Sequence, residues 1–352
     1  MKIVYVDTNI AGHHIPYLQG LAGLADEAVA ILPENVPTLA MQQYVCEFPT
    51  APKRKLSDFD KWIRAVKAAV DAEKPDIVHF LMGDDFYRFF GWGLRRFSAY
   101  KTILTLHWMR GGLPGVLSTK CIAGAVDTVV VHSDYLKCRL QDEGIHNVIH
   151  IEYPRFQTLT YEPQTAKAHW DLKPDVPVIA CLGNTRYDKG IDILLDALRS
   201  VKAPFQLLVA GKAAYFDETF IRDKIKAYQD HVTLHLNYLS DEEMALAASA
   251  ADLVVLPYRK VFDGASGPLG EGAALGKVII GPDHGNLGDT IRKNHLGYTF
   301  QSEDTSSLAQ TLEKALTQSF ERDTVYEAYQ RALNPERFRD GYRLAYKVLL
   351  EK

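Results

Sequence analysis

The segment SGPLGE, residues 266–271, places glycines, a helix start and a carboxylate side by side. Ser266, Gly267, Pro268, Leu269 and Gly270 form a stretch with little side-chain cover over its backbone N–H groups. A helix beginning just after it adds the positive end of a dipole, so the stretch reads as a cradle for an anion. Glu271 fits that cradle poorly. A carboxylate repels a bound phosphate unless it reaches past it to hydroxyl groups, which makes a ligand carrying both phosphate and sugar the natural occupant. The competing reading is structural: an acid near a helix N-terminus is favoured by the dipole whether or not anything binds.

Other residues able to do chemistry follow short apolar runs. Gly12, His13 and His14 come after KIVYV, Asp84 and Asp85 after DIVHFL, His107 after KTILTL, Arg186 and Lys189 after PVIACLG, and Asp263 after DLVVLP. These runs, with EAVAIL, DTVVVH, VIHIE, FQLLVAG, VTLHLN and KVIIG, alternate with helix-length segments, the pattern of parallel strands buried on both faces. The expected fold class is α/β, with two Rossmann-like doubly wound units. An open parallel sheet binds ligands at the carboxyl ends of its strands, where these candidates fall. The fingerprint G-x-G-x-x-G follows none of the runs and no G-x-x-x-x-G-K-[ST] occurs, which argues against nicotinamide, flavin and P-loop chemistry.

A chain of 352 residues exceeds what one hydrophobic core organises. The alternation breaks at residues 153–177, where Pro154, Pro163, Pro174 and Pro177 interrupt regular structure. The expected division is an acceptor-side domain at 1–160, a donor-binding domain at 161–335, and a final helix at 336–352 with packing back on the first domain as one option. Hydrophobic content of 47% and charged content of 24% are ordinary for a globular protein, and a net charge of −4 offers nucleic acid no general attraction. Cys46, Cys121, Cys138 and Cys181 form no C-x-x-C pair and have no histidine at zinc-ligand spacing, so they read as reduced thiols of a cytoplasmic chain. The opening MKIVYVDTN is too short an apolar run for a signal peptide, and no stretch reaches the about 18 apolar residues of a spanning helix.

Three stretches of the second half, CLGNTRYDKGIDILLDAL, YLSDEEMALAASAADLVVLPY and SGPLGEGAALGKVIIGPDHGNLGDTI, resemble in order and spacing the nucleotide-sugar-binding domain of glycosyltransferase family 4. The resemblance covers about residues 178–300, and the first half joins it less sharply through LTLH, VVVHSDYLK and IEYP. It implies the GT-B fold, two domains facing across a cleft, and a retaining transfer of sugar from a UDP-, GDP- or other nucleoside-diphosphate sugar. The acceptor would be a hydroxyl of a glycan, a lipid-linked or a small-molecule acceptor, as in polysaccharide biosynthesis, with no cofactor and no metal.

Residue by residue, the resemblance implies that Arg186 and Lys189 lie by the donor diphosphate, where two cations stabilise the charge that develops on the leaving group. Glu271 would hold the ribose hydroxyls, with backbone amides of Gly267 to Gly270 on the phosphates and Ser266 beside them in the donor site. Asp263 would hold the transferred sugar, although it replaces a glutamate and is one methylene shorter. The family's proline after G-K is Val278 here, and HGNLGD stands for its G-G-x-P-E. His107 would lie near the transferred sugar, and Gly12 would let the donor approach closely. His13 and His14 read as acceptor contacts, metal ligands or neither, and Asp84 and Asp85 as acceptor-side carboxylates.

A nucleotide-sugar epimerase of the same build, and a non-catalytic subunit that keeps the donor site, remain alternatives; no lysine has the context of a pyridoxal site. Residues 86–101, FYRFFGWGLRRFSAYK, interleave aromatics with Arg88, Arg95, Arg96 and Lys101, and PKRKLSDFDKWIR adds a second basic cluster. Such a face suits peripheral contact with the headgroups of an inner membrane face. Aromatics at helical spacing equally suit a core with a solvated basic exterior.

Overall fold

The computed structural model describes residues 1–12, 14–49 and 55–351. Two compact units emerge, Met1–Phe156 with Pro335–Lys352, and Gln157–Asn334. The first holds strands β1 (Lys2–Val6), β2 (Glu27–Leu32), β3 (Gln42–Val45), β4 (Ile77–Phe80), β5 (Lys101–Leu106), β6 (Thr128–Val131) and β7 (Val148–His150). They pair in parallel in the order β3-β2-β1-β4-β5-β6-β7. The second holds β8 (Val178–Leu182), β9 (Gln206–Ala210), β10 (Val232–His235), β11 (Leu253–Val255), β12 (Val278–Pro282) and β13 (Gly297–Phe300), in the parallel order β10-β9-β8-β11-β12-β13. The α/β class and its two doubly wound sheets follow the sequence pattern.

Alternation along each central strand explains why both faces are covered. Val4 and Val6 enter one core of the first unit while Ile3 and Tyr5 enter the other. Val178, Ala180 and Leu182 face one core of the second, Ile179 and Cys181 its opposite. Burial of this kind is the main favourable term in folding, and the period of two distributes it to helices on either side.

Three local features differ from the sequence reading. β3 and β13 were not anticipated; each is a short, half-exposed strand at a sheet edge. Residues 153–177 contain the helix Pro163–His169, which Pro163 starts because a missing N–H costs nothing in a first turn. The helix Pro335–Glu351 buries Phe338, Tyr342, Ala345, Tyr346 and Leu349 in the first unit, in a core shared with Ile3, Tyr5 and Ile103. Its hydroxyls reach polar groups there: Tyr346 lies 2.9 Å from His79 Nδ1 and Tyr342 3.1 Å from Thr105 Oγ1.

Each sheet reverses its strand order once, between β1 and β4 and between β8 and β11. Such a switch point splays the loops leaving the two strands and opens a crevice between them.

Candidate active site

In the second unit the switch point is pinched by Gly190. Its φ is +61°, and a Cβ there would stand 2.0 Å from the Pro257 carbonyl oxygen, so only glycine lets the loop after β8 lie against the chain after β11. Arg186, Lys189, Tyr258 and Phe262 come together as a result. The exposed Arg186 forks onto Asp188, with Nε 2.9 Å from Oδ1 and Nη2 2.6 Å from Oδ2. Arg259 is likewise paired, with Asp192, and lies over the Tyr187 ring. Lys189 is held differently: its Nζ stands 3.8 Å from the centroid of Tyr258 and 4.3 Å from that of Phe262. Burial, and then repulsion from Arg186, push its amine down to about 7.

The helix expected after the glycines starts among them, spanning Gly267–Ala274 with Ser266 as its N-cap. This corrects the picture of a row of amides open to an anion. Pro268 has no N–H, the Leu269 N–H donates to Ser266 Oγ at 3.4 Å, and the Gly270 N–H donates to the Ser266 carbonyl at 3.2 Å. Within this stretch the N–H groups of Ser266 and Gly267 take part in neither the cap nor the helix ladder. Gly267 and Gly270 have no atom within 4 Å of a notional Cβ, so nothing inside the unit demands glycine at either position. Glu271 lies half-buried beyond the first turn, out of the strongest field of the helix terminus. Asp263 accepts the Asn286 N–H at 3.2 Å at the start of the helix Gly285–Lys293, and thereby ties the loop after β11 to the neighbouring helix.

In the first unit the candidate polar groups are engaged with one another. His14 opens the helix His14–Ala22 and sets Nδ1 2.9 Å from Asp7 Oδ1, while Asp7 also receives the Thr8 N–H at 2.7 Å. The Asp84 carboxylate receives the backbone N–H groups of His107 and Trp108 at 3.0 and 3.1 Å, which makes it a brace for the chain after β5 rather than a group turned outward. Burial outweighs these hydrogen bonds and raises its carboxyl to about 7. Asp85 accepts from Thr8 Oγ1 at 2.5 Å. His107 lies with Nε2 3.1 Å from the Leu81 carbonyl; a carbonyl only accepts, so Nε2 carries the proton and Nδ1 is the acceptor nitrogen. Burial pushes its imidazole down to about 4, so the ring is neutral near pH 7. Gly12 has φ +65° and open space at its Cβ position, and His13 lies outside the described residues.

The sequence reading missed Asp188, Tyr258 and Phe262. Asp188 stood between the two basic residues, and the two aromatics lay in PYRKVF beside Asp263. The aromatic segment 86–101 divides: Phe86, Tyr87 and Phe97 are buried in the core, while Phe90 and Trp92 are 46% and 47% exposed and line a shallow groove with Arg95 and Cys121. In the second cluster Phe59 and Trp62 are buried, and Pro52, Lys53 and Arg54 lie outside the described residues. Among the described residues no group of three or more His, Cys, Asp or Glu side chains is placed to hold a metal ion, and no helix is long and apolar enough to cross a membrane.

Residues 164–332 match the family described as glycosyl transferases group 1. A glycogen synthase of Thermodesulfovibrio yellowstonii is 28% identical over 140 residues, 39% of this chain and 27% of that protein, so the match spans about a quarter of the relative's length. The sucrose-phosphate synthase of Thermosynechococcus elongatus superposes over 100% of this chain and 99% of its own with a TM-score of 0.77 at 18% identity. The Anabaena protein HepE, solved in complex with UDP and glucose, does so over 99% and 100% with a TM-score of 0.75 at 12% identity. At such identities the likeness establishes the fold, the GT-B type of two parallel α/β sheets.

Proposed function

We propose that this chain, a member of the glycosyl transferases group 1 family through residues 164–332, moves a hexosyl group from a nucleoside-diphosphate sugar to an acceptor hydroxyl with retention of configuration. The observation that carries the reading is the switch point of the second unit, where Arg186 and Lys189 meet beside a helix start whose glycines the fold itself does not require. As the glycosidic bond breaks, negative charge appears on the departing diphosphate, and preorganised cations stabilise that charge without moving a proton. No resident metal is needed when two cations serve in its place. Glu271 is assigned to the ribose hydroxyls and the Gly267 N–H to a phosphate. Asp263, through its carboxylate, is assigned to the transferred sugar.

In the first unit, His107, whose ring is neutral near pH 7, is assigned to the neighbourhood of the transferred sugar. His14, Asp84 and Asp85 are assigned to shaping the loops there, since each has a firm partner within the unit. A glycan or lipid-linked acceptor is the favoured class. The exposed Phe90 and Trp92 beside Arg95 support peripheral contact with an anionic membrane surface, which co-sedimentation with anionic vesicles at low and high salt measures. Four unpaired cysteines accord with a cytoplasmic site of action.

The donor class is tested by a thermal-shift screen of nucleoside diphosphates and their sugars. A ligand at a hundred times its Kd adds about 2.7 kcal/mol to stability. Release of nucleoside diphosphate that depends on an added acceptor supports transfer. Conversion of donor alone into a sugar isomer would favour the epimerase instead.

A further inference from the structure

The cations around the second switch point are not held alike. Arg186 and Arg259 each have a carboxylate partner, whereas Lys189 is held between two ring faces. A ring face attracts an ammonium group through its quadrupole but carries no net charge, so it fixes the amine without cancelling it. Asp188, the nearest acid on the same loop, spends both oxygens on Arg186. Tyr258 is itself locked, fully buried with its hydroxyl 3.1 Å from Ser266 Oγ at the cap of the glycine-started helix. Among the described residues, the remaining ionisable groups facing the amine are the Cys181 thiol on β8, which burial keeps protonated, and the Tyr258 phenol.

We propose that Tyr258 and Phe262 are positioning residues for Lys189: their rings aim an unneutralised amine at an incoming diphosphate, and the half-buried slot they form makes diphosphate binding take up a proton. The inference rests on the donor reading above. An amine in such a slot is only partly charged at slightly alkaline pH. A bound diphosphate supplies the counter-charge that favours the ammonium form, and the proton comes from solvent. The depressed amine, about 7 in the empty protein, agrees with this geometry.

The experiment is calorimetric titration of the intact protein with UDP, GDP and ADP at pH 6.5, 8 and 9, each in two buffers of different ionisation enthalpy. At pH 8, uptake approaching one proton per UDP, GDP or ADP bound is expected, and at pH 6.5 much less. Binding with no proton uptake at pH 8 overturns the inference, while absence of binding to all three at every pH overturns the donor reading instead. Phe262→Ala opens the slot to water. Its affinity should fall about tenfold at pH 6.5 and match or exceed that of the unaltered protein at pH 9, so the two pH curves cross. Parallel curves, the mark of a purely structural role, would contradict the proposal. Phe262→Tyr restores a ring face and should return both the affinity and the proton uptake.

Discussion

The two switch points use the same topology for opposite purposes. After β1, β4 and β5 the polar side chains look inward: His14 on Asp7, Asp85 on Thr8, Asp84 on two backbone N–H groups. After β8 two cations are held more loosely, by a local ion pair on the exposed Arg186 and by two aromatic rings on Lys189, while Arg259 after β11 is firmly paired with Asp192. A carboxylate that satisfies buried backbone groups is costly to remove because it leaves them unpaired. An exposed ion pair contributes little to stability and is easily exchanged for a ligand. The difference teaches that chemistry-bearing residue types at a strand end do not by themselves mark a reactive site. What they are already bonded to decides.

The sharpest way to break this contrast is at Arg186 and Lys189. Replacing either by alanine should lower kcat by about a hundredfold or more. For the exposed Arg186, stability should stay within about 0.5 kcal/mol, read by thermal melting. A variant that loses only affinity, with kcat intact, would recast the pair as binding groups. Next in size, Glu271→Gln should weaken a nucleoside diphosphate and the full donor alike, by about tenfold, because the proposed charged hydrogen bond to the ribose would be common to both. Asp263→Asn keeps an oxygen for the Asn286 N–H, so its effect should fall on the sugar-bearing donor alone. Equal losses for both ligands in both variants would erase the division of labour.

Acid should act on the first unit. Burial lowers His79 to about 3 and His107 to about 4 from 6.5, so the unfolded chain binds protons that the native one refuses. Their contribution is whole above pH 6.5 and is lost as pH falls through that value toward 3. Asp84, raised to about 7, works the other way: its protonated form favours the native state at low pH, and that contribution fades as pH rises toward 7. Between pH 7 and 4.5 the unfolding free energy from urea titration should therefore fall less in His79→Gln and more in Asp84→Asn than in the unaltered protein, by on the order of 1 kcal/mol. The smallest expected effect is none at all: turnover should persist in EDTA, and a full loss restored by Mg²⁺ would move the leaving-group chemistry from the basic pair to a metal.

Much of the fold was legible because parallel strands buried on both faces announce themselves as apolar runs. β3, QQYV, and β13, GYTF, lack such runs since an edge strand need not be apolar throughout. Arg186, Lys189 and Glu271 were legible as types in a spacing. Their partners were less so. Lys189 meets Tyr258 and Phe262 only because strands far apart in sequence are neighbours in the sheet, and no local pattern encodes that adjacency. The helix start at Gly267 was misplaced although its signals were present, a serine cap with proline in the first turn. Glycine content outweighed them in the reading.

The helix Pro335–Glu351 bears on the order in which the protein matures on the ribosome. Residues 157–334 are contiguous and have their complete set of strands once synthesis has passed them. The first unit, although made earlier, waits for Phe338, Tyr342, Tyr346 and Leu349 to close its core, with His79 Nδ1 lacking its Tyr346 partner until that helix arrives. A nascent chain paused before residue 338 thus carries a later-made half able to finish and an earlier-made half with an open apolar face, the condition in which a chaperone has something to hold.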